Sequence, residues 1–223
     1  MDMEFLINNW KQITLGIILL AILCGGAIFW LMRYKDTNYF KSQTYKRTST
    51  KPTRVLVIYF TRSGNTEVFA NEIARAMDAD IIRLEAPQYS LDLSGQQKAG
   101  DDAWDENITE VIPKKIDMSK YTLVFLGSPI WWYNPAVPLR SFVYTNNFKG
   151  NNVVLFNTFN SRFKQEKIDT FAKEIENRGG KFIDHVWVKR GRIVWQKSRN
   201  AMRAEFATII KKNKPAWEKH LLR

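Results

Sequence analysis

The chain has 223 residues, 45% of them hydrophobic, and a formal charge of +12. That length suits one ordinary domain plus an extra segment, and neither Gly nor Pro reaches the share that marks a disordered chain. The single cysteine, Cys24, excludes an intramolecular disulfide and a zinc site or thiol nucleophile in the folded domain, while His185 and His220 sit far from any Ser or Asp arrangement suited to triad hydrolysis.

Residues 14–32, after an N-terminal flank of residues 1–13, form an uncharged apolar stretch of 19 residues. At ~1.5 Å per residue this spans about 28 Å, which matches a bilayer's hydrocarbon core. Trp10, Trp30 and Tyr34 lie at or near its ends, where amphipathic rings favour the membrane interface. A cleaved signal peptide should open with a basic region, whereas this chain opens MDMEFLINNWK. A lipoprotein would acylate Cys24, but the preceding Leu23 is bulky where such sites need a small residue. The sequence therefore predicts a transmembrane helix. Arg33, Lys35, Lys41, Lys46, Arg47, Lys51 and Arg54 follow it, against Lys11 before it, so the positive-inside bias puts the remainder in the cytoplasm.

Residues 33–53 read as a basic linker, resting on anionic lipid or, in the rival view, acting as a nucleic-acid arm. Residues 33–223 carry 33 basic and 20 acidic side chains, a surface that favours anionic partners without choosing among them. No feature other than charge points to nucleic acid, so none is expected as a partner.

From residue 54 strand and helix signals alternate. Residues 55–60 (VLVIYF) are a continuous apolar run, as in a strand covered on both faces. Helical spacing follows over 67–77, then a second strand over 80–84. Residues 88–114 are polar and acidic, and predict a loop holding one short helix. A third buried strand, 121–126, ends at Gly127; a helix is expected over 136–146 and a fourth strand over 152–156. A helix over 165–177, stopped by Gly179-Gly180, leads to a fifth strand over 181–188 and a last helix over 197–212. Repeated βα units imply a doubly wound parallel sheet over residues 54–213, with 214–223 as a tail.

Directly after the first strand come Thr61, Arg62, Ser63, Gly64, Asn65 and Thr66, opening into a helix. Hydroxyls, a glycine and the helix's N–H groups would converge where the macrodipole is positive, which suits a phosphate dianion. The loop lacks the Gly-Lys-Ser/Thr of a Walker loop and the GxGxxG of a dinucleotide fingerprint, which disfavours nucleoside triphosphates and dinucleotides. The alternative is an ordinary strand-to-helix turn with Ser/Thr caps.

The stretch VIYFTRSGNTEVFANEI (57–73) resembles the flavodoxin signature through Val57-Ile58, Tyr59, Thr61, Gly64, Thr66, Ala70 and Ile73. GSPIWW (127–132) is similar to the flavin-stacking loop of flavodoxin-like proteins, and NTFNSR (157–162) follows the fourth strand where that family has its third flavin loop. The resemblance implies an α/β fold with five parallel strands in the order 2-1-3-4-5, and FMN as the cofactor. It implies that Thr61 to Thr66 cradle the FMN phosphate and that Trp131 or Trp132 faces the isoalloxazine. Backbone groups of Ser128, Pro129, Ile130 and Trp131 would address the pyrimidine edge and N5, with Thr158 and Phe159 bordering the other side.

Three features depart from the family: Tyr133 where many relatives have glycine, a third loop with Phe159, Arg162 and Phe163, and a basic domain where acidic ones are common. The resemblance implies an FMN electron carrier with a redox protein partner or a small-molecule electron acceptor, which the apolar N-terminal helix is expected to anchor in a membrane. A membrane-associated FMN oxidoreductase acting on a quinone or porphyrin precursor is the alternative, and a flavin-free interaction protein of the same fold the third.

Overall fold

A computed structural model of the chain describes residues 3–38, 45–192 and 195–221. It divides into two compact units after residue 39. The first is one helix, α1 (Met3–Asn38), whose segment Asn9–Lys35 is long and apolar enough to cross a membrane and is not buried in protein. The helix overruns the expected 14–32 at both ends because neither polar flank contains a proline or glycine to stop it. The basic linker expected over 33–53 is thus helical at its start. Its residues 39–44 lie outside the described residues, and 45–54 form neither helix nor strand. Within this last part Arg47 pairs with Asp78 at 2.8 Å, so this stretch lies against the domain rather than free of it.

The second unit is a βα array. Its elements are β1 (Val55–Phe60), α2 (Asn65–Met77), β2 (Asp80–Leu84), α3 (Leu93–Trp104), β3 (Leu123–Trp131), β4 (Asn134–Pro135), α4 (Val137–Thr145), β5 (Asn152–Phe159), α5 (Gln165–Asn177), β6 (Lys181–Lys189) and α6 (Arg199–Glu218). The five main strands are parallel in the order β2-β1-β3-β5-β6, while the two-residue β4 folds back antiparallel on β3. With β4 set aside this is the order 2-1-3-4-5 that the sequence leads one to expect. The fold is flavodoxin-like.

Alternation along β1 feeds two cores. Leu56, Ile58 and Phe60 join a cluster with Ala99 and Ala103 of α3, Leu139 and Phe142 of α4, and Ile168 and Phe171 of α5. On the opposite face Phe69 of α2 stacks on Phe206 of α6 at 4.4 Å and meets Phe156 of β5 edge-on at 5.3 Å. Helices therefore cover both faces, which is why the strands read as unbroken apolar runs.

Two expected boundaries move for physical reasons. Gly127 does not end the third strand; it sits in mid-strand, where a Cβ would lie 2.0 Å from the Phe156 ring. The glycine makes room for that ring, and β3 runs on to Trp131. The tail expected over 214–223 is helical as far as Glu218, with Pro215 inside α6. Packing outweighs the proline's missing donor: Trp217 is 1% exposed, donates its indole N–H to Asp184 at 2.7 Å and meets Phe125 edge-on at 5.0 Å. Lys214 meanwhile donates to the carbonyl of Ala76 at the end of α2.

Trp217→Ala should accordingly lower unfolding stability by about 3–5 kcal/mol, as deletion of a fully buried ring does. Denaturant titration checks this; a chain stopped after residue 213 with an unchanged midpoint would contradict it.

Candidate functional site

Three segments meet at the carboxyl ends of the neighbouring strands β1, β3 and β5, where an open α/β sheet places its ligands. Residues 61–64 leave β1 and enter α2. Ser128, Pro129, Ile130 and Trp131 finish β3, and Thr158 and Phe159 finish β5. The hydroxyls of Thr66 and Thr158 lie 2.8 Å apart, joining the first segment to the third.

The first segment is a turn built for N–H donors. Gly64 adopts φ 87°, a left-handed conformation that side chains resist, and no side chain caps α2. The N–H groups of Asn65, Thr66 and Glu67 consequently have no partner within the helix. The side chains use acceptors more than protons. Thr61 Oγ1 accepts from Gly64 N–H at 3.0 Å, and Ser63 Oγ accepts from the Asn65 amide at 3.0 Å. Each of these hydroxyls retains its proton, and the Thr66–Thr158 pair shares one bond between two protons. The turn can thus offer three hydroxyl protons and a set of backbone N–H groups to an anion.

Arg62 does not belong to that group. Its guanidinium donates to the carbonyl of Ser90 at 3.0 and 3.1 Å, binding the turn to the loop before α3. Glu67, the acid in the helix's first turn, also faces elsewhere: its carboxylate accepts from the Tyr59 hydroxyl at 3.1 Å. Burial and that neighbouring carboxylate push the Tyr59 phenol well above its ordinary range, which keeps it a donor.

The second segment is a hairpin. Trp131 pairs with Asn134, leaving Trp132 and Tyr133 as the two turn residues, with φ of 44° and 69°. Such a turn favours Asn-Gly; two aromatic residues there cost on the order of 1–3 kcal/mol each. The strain is held by bonds on both sides. Ala136 N–H donates to the Pro129 carbonyl at 3.0 Å, and Lys164 N–H to the Tyr133 carbonyl at 3.2 Å. Arg162 and Lys164 lie over the Tyr133 ring, and the Arg162 hydrogen bond holds its phenol below the usual value.

The two tryptophans differ in setting: Trp131 ends β3, and Trp132 is the first residue of the turn. Trp131 turns toward the core and meets Phe60 at 5.5 Å and Tyr89 at 5.3 Å, both edge-on. Trp132 is 50% exposed and meets Trp104 of α3 at 4.9 Å. Of the two indoles, Trp132 is the one open to a flat ligand. Trp104 lay in a polar stretch without clear periodicity, so the sequence carried no sign that it would join the site.

The remaining residues stand behind this surface. Ser128 and Thr158 are buried, and Phe159 packs against Phe163 and Trp187, each at 5.4 Å. Behind Ser128, Asn157 is fully buried and joins it to His185. Neither Asn157 nor His185 stood out in the sequence as a site residue, although an Asn inside a buried apolar strand is a usable signal. Among the described residues no cluster of His, Cys, Asp or Glu could hold a metal ion.

Residues 54–199 match the sequence model of a family described as Flavodoxin. Among solved structures, a flavoprotein in complex with FMN from Lactobacillus acidophilus NCFM aligns with a TM-score of 0.53 at 20% identity, over 61% of this chain and 93% of its own. A candidate flavoprotein from Bacteroides uniformis ATCC 8492 gives 0.55 at 19%, over 72% and 99%. Another, from Bacteroides eggerthii DSM 20697, gives 0.50 at 22%, over 71% and 98%. No curated protein matches the chain. At these identities the structural likenesses concern the fold.

Burial lowers the His185 pKa from 6.5 to about 4, with Asp184 opposing weakly. Above pH 6.5 the ring is neutral folded or unfolded and adds nothing. As pH falls from 6.5 to 4 the unfolded chain takes a proton that the folded chain refuses, so stability drops by up to about 3 kcal/mol. Denaturation midpoints at both pH values should therefore diverge more for the native chain than for His185→Gln. Equal divergence would refute the assignment.

Proposed function

Because the chain belongs to the flavodoxin family, we propose that it binds FMN at the carboxyl edge of its sheet and serves as an electron-transfer protein. The observation that carries this reading is the uncapped start of α2, where N–H groups and hydroxyl protons converge without a carboxylate among them. A phosphate dianion needs many donors and close backbone approach, and Gly64 permits that approach. Thr61, Ser63, Gly64, Asn65 and Thr66 would hold the phosphate. Trp132 would cover the rings and shield them from water, and backbone groups of residues 129–131 would meet the polar edge. When bound, FMN supplies one- and two-electron redox chemistry, which the protein positions and tunes.

The chain's own residues add positive charge beside this site. Arg162 and Lys164 flank the hairpin at Tyr133, a surface suited to docking an acidic redox protein. The second reading is an FMN oxidoreductase acting on a flat, lipid-soluble quinone or porphyrin precursor. It is favoured by the exposed Trp104–Trp132 pair, which offers an apolar face to such a molecule. In either case α1 would anchor the chain in a membrane, with the flavin domain on the cytoplasmic side where the basic residues after the helix belong.

Membranes from cells expressing the full chain provide the test. They should carry bound flavin, released by protease from inside-out vesicles and not from intact spheroplasts. Gly64→Val, which forces a branched side chain into a left-handed turn, should reduce the flavin content on the order of tenfold or more. Colourless membranes from the native chain would reject the flavin reading. Flavin released from intact spheroplasts would reject the sidedness.

A further inference from the structure

A chain of hydrogen bonds centred on a buried Asn runs across three strands beside the hairpin. Asn157 of β5 is fully buried, and its amide NH2 donates to the Ser128 carbonyl at 2.9 Å and to the Ser128 hydroxyl at 3.3 Å. Its amide oxygen lies 3.0 Å from Nε2 of His185 on β6. The Ser128 hydroxyl in turn donates to the Pro129 carbonyl at 2.9 Å and accepts at 3.1 Å from Ala136 N–H, which it shares with that same carbonyl at 3.0 Å. With one proton given and two bonds received, that hydroxyl has no capacity left.

The direction of every bond follows from this. Turning the Asn157 amide over would set its oxygen 2.9 Å from a carbonyl oxygen, so the NH2 faces Ser128. The amide oxygen then faces His185, which must present Nε2–H to it. The imidazole ring also meets Phe163 edge-on at 5.2 Å. The hairpin beside this chain carries Trp132 and Tyr133 in left-handed conformations, which persist only where surrounding structure over-determines them.

We infer that Asn157 and His185 are positioning residues: they fix the Ser128–Ala136 latch and so set the direction in which the hairpin presents Trp132 to a bound flavin. This rests on the FMN reading for its consequence, but the latch itself acts with or without a ligand. His185 works as a neutral donor, as its burial requires. Gln can place an N–H where Nε2 stands; Leu cannot, and would leave the Asn157 oxygen buried without a partner.

The experiment uses the full chain in detergent, comparing His185→Leu, His185→Gln and Ser128→Ala with the native protein. Two readouts are taken: the 15N-indole resonances of Trp131 and Trp132 without ligand, and the FMN dissociation constant. His185→Leu and Ser128→Ala should shift the Trp132 resonance and weaken FMN binding about tenfold. His185→Gln should restore both to near native values. Ser128→Ala decides alone if His185→Leu fails to fold. Unmoved indole resonances and FMN affinity in a variant that is merely less stable would overturn the inference. Indole shifts in the variants of a chain that takes up no FMN would sustain the latch and reject the flavin reading instead.

Discussion

The constraint on which the rest depends is an unsatisfied helix end. α2 begins directly after a strand buried on both faces, at a left-handed glycine with no capping side chain. Backbone N–H groups need partners, and a turn whose Thr61 and Ser63 oxygens already accept from Gly64 N–H and the Asn65 amide supplies few. An anion is what we propose completes the set. Its charge is better met by many neutral dipoles than by one cation, and the turn's only guanidinium is directed to Ser90.

The hairpin is the second half of the same arrangement. It holds two aromatic residues in a conformation that costs energy, and three kinds of restraint keep them there: the Ser128–Asn157–His185 bonds, the Lys164 backbone contact, and the cations over Tyr133. The outcome is one indole directed to the core and one to solvent. Tyr133 sits at φ 69° in a turn position where glycine would carry no Cβ strain.

Much of the fold was legible because both faces of the sheet are covered. Continuous apolar runs marked β1, β3 and β5, and helical spacing marked α2 and α5. The turn at Thr61 to Thr66 was legible as well, since local chemistry decides it. What eluded sequence reasoning was decided by contacts distant in the chain. Gly127 resembles a strand end until Phe156, from another strand, occupies the space above it. Pro215 resembles a helix end until Trp217 finds Asp184 and Phe125. Trp104 and His185 carried no local signal at all, because each acquires its role only from a partner on a different element. β3 runs past Gly127 to Trp131 and leaves Trp132 in the turn, so misplacing that glycine also left the choice between the indoles open.

The central claim is that neutral donors hold a phosphate as its dianion, and 31P NMR of FMN added to the purified chain tests it most directly. Free phosphate monoester titrates with a pKa of about 6. A group gripped by N–H and O–H donors should give one resonance that stays in place between about pH 6 and pH 8, because hydrogen bonds to the charged form depress its pKa. A bound resonance that moves with pH as free FMN does would contradict the account.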